Sequence, residues 1–308
     1  MGSMASGLGY REGYCIHLAN GQGWRIILTE GVKSWVAKLA SILELGACDR
    51  NGHPRLIFIW RKSGEESWRD SVCRLNTTRT EGLPVSGWNV RNLEWLRVWY
   101  HSDVPDVICE MGAQEEDEHD ILRMRLSLQP IYQRAQDSGG LPLHAALVEW
   151  NATGILLAAS ANTGKSTCCH RLRSPWKTLC DDETLVIMDD QKQYLAHPFP
   201  TWSDCLVKGV NRTWNVQDSV PLSAIFFLEQ AGADEVLPMG QGQAAVLAYQ
   251  SAIQVGHRNL MNLHREEIRI HKRKLFENAC DLTRSIPAFK LKVSLLGQFW
   301  KEMEKALS

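Results

Sequence analysis

No apolar run in this chain approaches the roughly 18 residues that a membrane-crossing helix needs. An excess of one charge is lacking too: 34 Lys and Arg stand against 35 Asp and Glu, a formal net charge of −1. Neither nucleic acid nor an anionic membrane meets a global field, so neither is expected as a partner. The nine cysteines form no C-x-x-C unit. In Cys168-Cys169-His170, neighbours on a helix point about 100° apart and do not share an ion easily. Reduced thiols in a cytoplasmic protein are the plain expectation. The first residues have no basic stretch ahead of an apolar core, so no secretory signal is expected, and 1–7, read as including an expression scar before a native Met4, are set aside from fold reasoning. Internal repeats and low-complexity tracts are missing as well. The 12 tryptophans are the exception to this plainness; core packing accounts for most of them, with a peptide groove as the alternative.

What the chain does have lies at 155–167. An apolar run, 155–159, leads into Ser160-Ala161-Asn162-Thr163-Gly164-Lys165-Ser166-Thr167. A buried strand that delivers a small-residue loop ending in Gly-Lys-Ser-Thr has the layout of a phosphate-binding P-loop. Backbone N–H groups of such a loop wrap the phosphates, Lys165 neutralises the β and γ oxygens, and Ser166 can ligate Mg²⁺. Residues 160–167 are the candidate nucleotide-binding set. Ala159 stands where the first glycine of G-x-x-x-x-G-K-[ST] belongs, a place Ala can hold only at negative φ. The bland alternative is a surface turn that happens to contain Lys and Ser.

A short helix over 166–172 is expected to stop at Ser174-Pro175. The strand-like run 176–183 then ends in Asp181-Asp182-Glu183. Phosphoryl transfer needs one carboxylate to hold Mg²⁺ and another group to orient or deprotonate the acceptor hydroxyl. Adjacent strand residues face opposite sides, so both aspartates reach one site only at a strand end. Upstream, 141–150 reads as a strand with His144 near its start, and 151–154 as the turn into the P-loop strand. A lone histidine in such a place is more often a simple hydrogen-bonded residue than a site group.

Elsewhere the periodicity predicts strands at 23–28, 55–60 and 93–100, a helix over 32–45, and a solvated charged loop at 114–120. The stretch 121–128 alternates arginines with apolar residues and reads as a strand. Pro130 starts a helix that ends at Gly139-Gly140. A buried strand is expected at 224–228, turns over 232–242, and helices over 243–253 and 260–280. His257, His264 and His271 fall seven apart, roughly 10 Å along a helix and too far for one ion. Arg265, Arg269, Lys272, Arg273 and Lys274 form a basic cluster, read as a solvated face or as a grip on an acidic peptide or phosphates.

Five segments, in order, carry a family resemblance. They are Leu143-His144-Ala145-Ala146-Leu147-Val148-Glu149, Gly164-Lys165-Ser166-Thr167-Cys168-Cys169, Cys180-Asp181-Asp182-Glu183, His197-Pro198-Phe199-Pro200-Thr201-Trp202-Ser203 and the run 220–230. Together they resemble the catalytic domain of the HPr kinase/phosphorylase family, serine kinases whose nucleotide fold is similar to that of phosphoenolpyruvate carboxykinase. They resemble still more the HPr-kinase-like proteins of SynChlorMet peptide-maturation cassettes, the ScmC type. The resemblance covers about 120–290, and only weakly the first 110 residues. It implies an α/β chain with a smaller N-terminal α/β domain, 1–120, and a P-loop HPr-kinase/PEP-carboxykinase-like domain, 121–308. It implies ATP and Mg²⁺ as cofactors, with Lys165 and Ser166 on phosphate and metal. His144, Asp181 and Asp182 would line the transfer site, with one aspartate, Asp182 ahead of Asp181, as base and the other with the metal. The implied activity is a serine or threonine kinase acting on a precursor peptide or small protein; a homo-oligomer is left open. Two departures are Ala159 and the run 202–221, which lacks the family's Gly-rich, Arg-containing signature. Two rival functions stay in view: a small-metabolite kinase, and a nucleotide-dependent peptide-binding module without catalysis.

Overall fold

The computed structural model describes residues 13–308 apart from 30, 48–51, 62–80, 85, 94, 113–118, 161–162, 209–211 and 261–262. It is a mixed α/β structure on two open sheets. The first is built from β1 (Gly13–His17), β2 (Gly23–Ile27), β3 (Arg55–Trp60), β4 (Asn89–Leu93), β5 (Leu96–Tyr100) and β6 (Val107–Met111), with helix α1 (Lys33–Ile42) after β2. The strand order is β1-β2-β3-β6-β5-β4. Parallel pairing joins β2, β3 and β6 at the centre. There Leu56, Ile57, Phe58 and Ile59 are buried without alternation, as expected of a strand covered on both faces. Trp35, Val36, Leu39, Ala40 and Ile42 form the buried stripe of α1.

Two helices follow, α2 (Asp120–Ser127) and α3 (Gln129–Asp137). The strand expected at 121–128 is therefore corrected to a helix. Its alternation misled because the arginines do not point to solvent: Arg123 is buried and lies over the Trp60 ring at 5.5 Å, and Arg125 reaches Glu183 at 2.7 Å.

The second sheet takes β7 (Leu141–Leu143), β8 (Ala145–Trp150), β9 (Thr153–Ala158), β10 (Lys177–Cys180), β11 (Glu183–Met188), β12 (Tyr194–Phe199) and β13 (Val220–Gln230), in the order β10-β8-β9-β13-β12-β11-β7. β14 (Glu235–Pro238) and β15 (Ala288–Val293) extend it from β13. Helices α4 (Lys165–Arg171), α5 (Trp202–Lys208), α6 (Gln241–Leu260), α7 (Arg265–Ser285) and α8 (Phe299–Leu307) complete the chain. The β8–β9 hairpin turns on Asn151 and Ala152, both at positive φ (50° and 59°), which suits the twist of its strands. Three further expectations are corrected. The run 141–150 is two strands broken at His144, β14 lies within the turn-rich 232–242, and the last two long helices are α6 and α7, whose boundary falls at 261–264. Cys15 is disulfide-bonded, against the expectation of reduced thiols throughout; the six other described cysteines are free.

Contacts between the two sheets are polar as well as apolar. Buried His197 on β12 accepts the Ala19 N–H at Nε2 (3.3 Å) and bonds the Val216 carbonyl through Nδ1 (2.9 Å). Burial holds its pKa down at about 4, so the ring is the neutral tautomer this pairing needs. Arg134 donates to the Gly23 carbonyl at 3.0 Å and covers the Trp24 ring. Asn278, buried on α7, donates from Nδ2 to the carbonyls of Gln136 and Gly140 at 2.8 and 2.9 Å, pinning the turn ahead of β7. Asn278→Ala takes the side-chain donor from the Gly140 carbonyl, while the Gln136 carbonyl keeps the Gly139 N–H at 3.1 Å, so urea unfolding is expected to show a loss of about 1–2 kcal/mol. Among the described residues no helix is long and apolar enough to cross a membrane.

Candidate active site

On β9, Ile155, Leu156 and Leu157 are fully buried, and the chain leaves the sheet at Ala159. The non-glycine residues described at positive φ are Glu44, Asn151, Ala152 and Lys192, so Ala159 meets the condition for standing in place of glycine. The Thr163 N–H reaches the Ser160 carbonyl at 3.3 Å; Ala161 and Asn162 lie outside the described residues. Gly164 then opens α4 at φ 102°, where an L side chain costs about 1–2 kcal/mol.

Lys165, the first residue of α4, is buried, and its Nζ turns back into the molecule. It donates to the Ala159 carbonyl at 3.2 Å and lies 2.7 Å from His144 Nε2. Burial pushes its ammonium below the usual lysine value, against the opposing pull of Asp182 and Asp181. His144 sits at the break between β7 and β8. Helix α6 holds that break at Ser251, whose carbonyl accepts the His144 N–H (3.3 Å) and whose hydroxyl donates to the His144 carbonyl (3.1 Å).

The two aspartates occupy the bend between β10 and β11, and both line one cavity because the strand is interrupted there. His144 Nδ1 lies 2.9 Å from Asp182 Oδ1. An ammonium can only donate, so Nε2 is the acceptor toward Lys165 and the ring proton sits on Nδ1, directed at Asp182. Lys165, His144 and Asp182 thus form one continuous hydrogen-bonded line. Asp181 is buried, accepts the Thr201 hydroxyl, and has Arg212 Nη1 at 3.9 Å.

The cavity at this line has a volume of ≈ 360 Å³ and is bordered by Gly164, Lys165, Ser166, Thr167, His144, Asp181, Asp182, Thr201 and Ser203. Ser166 and Thr167 are exposed on its wall. A second cavity of ≈ 250 Å³ shares His144, Asp182 and Ser203 with the first. Its other walls are Ile121, Leu122 and Arg125 of α2, Trp202 and Leu206 of α5, and Gln254 of α6.

Over residues 107–308 the sequence matches the family described as SynChlorMet cassette protein ScmC. The chain belongs to the ScmC family. No curated protein matches it. The ScmC match begins at the first residue of β6 and takes in every residue of both cavities.

Behind the ScmC-family site lies a buried ion pair that sequence reasoning missed. Glu183 is buried; burial raises its carboxyl pKa, while Arg125 at 2.7 Å and the Tyr132 hydroxyl at 3.0 Å draw it down. Arg125 was hidden in a stretch read as a strand, and Ser251 and Arg212 gave no local signal. Thr201 and Ser203 stood within a segment of the resemblance. Among the described residues no three His, Cys, Asp or Glu side chains gather as a metal cage.

Proposed function

We propose that this chain is an ATP- and Mg²⁺-dependent serine or threonine kinase, on an HPr-kinase/PEP-carboxykinase-like fold, acting on a precursor peptide or small protein of its cassette. The observation that carries the reading is the pair of cavities meeting at His144, Asp182 and Ser203. One has the loop and lysine suited to phosphates; the other, where Ile121, Leu122, Trp202 and Leu206 stand beside Arg125 and Gln254, has room for an acceptor side chain. A site that only binds nucleotide needs no second chamber facing the same carboxylate.

In this reading the 160–164 loop and Lys165 hold the β- and γ-phosphates. Asp182 takes the proton of the acceptor hydroxyl as that oxygen bonds the γ-phosphorus and the bridging oxygen leaves with the diphosphate. His144 is a positioning residue: its Nδ1–H fixes Asp182 and its Nε2 fixes Lys165. Ser166 and Asp181 present hard oxygen donors that would suit Mg²⁺. A bound Mg²⁺ would neutralise charge on the phosphates. Placement and charge neutralisation supply the acceleration in such chemistry.

The test is the intact mass of the cassette's precursor peptide after incubation with the protein, ATP and Mg²⁺. A gain of one phosphoryl group is expected with wild type and not with Lys165→Ala. Nucleotide binding without any mass gain on peptides or small hydroxylated metabolites would instead favour the non-catalytic module.

A further inference from the structure

At the far end of α4 from Lys165, the turn 294–298 presents Leu295 and Leu296 to solvent, 85% and 95% exposed. The turn is held by bonds at both ends. Arg171, the last residue of α4, donates to the carbonyls of Ser294 (2.7 Å) and Gly297 (2.5 Å) and lies over the Phe299 ring. Asp234 Oδ1 accepts the Ser294 N–H at 2.6 Å, and the Gly297 N–H reaches the Ser294 hydroxyl at 3.0 Å. A Cβ on Gly297 would collide with the Asp234 carboxylate, so only glycine fits this close approach. The two leucines are therefore displayed by a braced turn.

Beside them is a hollow of ≈ 640 Å³ walled by Trp300, Gln298, Arg171, Arg173 and His170. No acidic side chain among the described residues lines it. Arg171 is engaged by the turn; Arg173 and His170 have no acidic partner among the described residues. Trp, Arg and exposed Leu around one hollow are the chemistry of an interface centre with a basic rim.

We propose that this hollow docks an acidic peptide segment that inserts an apolar side chain between Leu295, Leu296 and Trp300, with its carboxylates on Arg173 and His170. A second copy seated hollow to hollow is a poor occupant, since that contact would bring two basic rims together with no acid lining either. The site does not depend on phosphoryl transfer.

A displayed library of random dodecapeptides, selected on the full chain and counter-selected on Leu295→Ser/Leu296→Ser, tests the site. Retained sequences are expected to pair Asp or Glu with a large apolar residue. By fluorescence anisotropy, a selected peptide should bind wild type about tenfold more tightly than the double variant or Arg173→Glu. Its Lys-for-acid counterpart should not bind. Melting curves coincident with wild type distinguish lost docking from lost folding. No enrichment, enrichment of basic sequences, or equal affinity for wild type and both variants would overturn the proposal. So would self-association of wild type that the double variant abolishes.

Discussion

Asp182→Asn is expected to lower phosphoryl transfer about 10³-fold while nucleotide affinity stays within about twofold of wild type. The substitution keeps an oxygen that can accept the His144 Nδ1–H, so the line from Asp182 to Lys165 survives and only the proton acceptor is lost. Lys165→Ala should behave in the opposite way. It removes the cation at the phosphate loop, so affinity for nucleotide falls first and turnover with it. Single-turnover phosphorylation beside calorimetric nucleotide titration separates the two variants. Equal transfer rates in wild type and Asp182→Asn would remove Asp182 as the base. A parallel fall in affinity would move it to the nucleotide side, with Asp181 then the candidate facing the acceptor.

The second large effect is on stability. Arg125→Met leaves the buried Glu183 carboxylate with only the Tyr132 hydroxyl. Breaking such a pair should cost about 3 kcal/mol, the lower end for buried pairs because the Arg125 head is partly exposed. The pH dependence has a definite sign. Glu183 has a folded-state pKa raised above the ordinary 4.5, so its contribution to stability is fully present below about pH 4.5 and lost as pH rises through the folded value. Arg125 opposes that rise, and its removal makes the loss with pH steeper. The deficit of Arg125→Met should therefore be largest at neutral pH and small near pH 4.5. Urea unfolding at the two pH values checks this, and adding Glu183→Gln should recover most of the loss. A deficit of the same size at both would assign the effect to lost packing of the arginine stem instead.

Segments whose local signal and tertiary role coincide were legible. The strand expected at 55–60 is β3, residue for residue, because a continuous apolar run between two breaks has no rival. Lys165 and Ser166 at the start of α4 were legible as candidates because the small residues, lysine and hydroxyls are contiguous in sequence. His144 and the aspartate pair were found, but the breaks that aim them were not. The runs 141–150 and 176–183 carry no Gly or Pro at the breaks, so the sequence reads straight through where the hydrogen-bond ladders change partner: β7 pairs β11, whereas β8 pairs β9 and β10. Arg125 failed for a related reason. A period-two pattern says which residues are charged, and it cannot say that a charge is matched inside by a glutamate 58 positions away. Ser251 is remoter still, 107 positions from His144, and its role is made by the packing of α6 against β7.

If the chain works as proposed, the bond between Lys165 and His144 couples the two chambers thermodynamically. A phosphate that draws the Lys165 ammonium toward the loop takes the donor away from His144 Nε2. That nitrogen then offers its lone pair at the boundary with the acceptor chamber, beside the Asp182 it already steadies. Occupation of one chamber thus changes what the other presents, and by linkage an acceptor that donates to Nε2 strengthens the hold on phosphate by the same factor. Either arrival turns a closed line of hydrogen bonds into one open toward the other chamber.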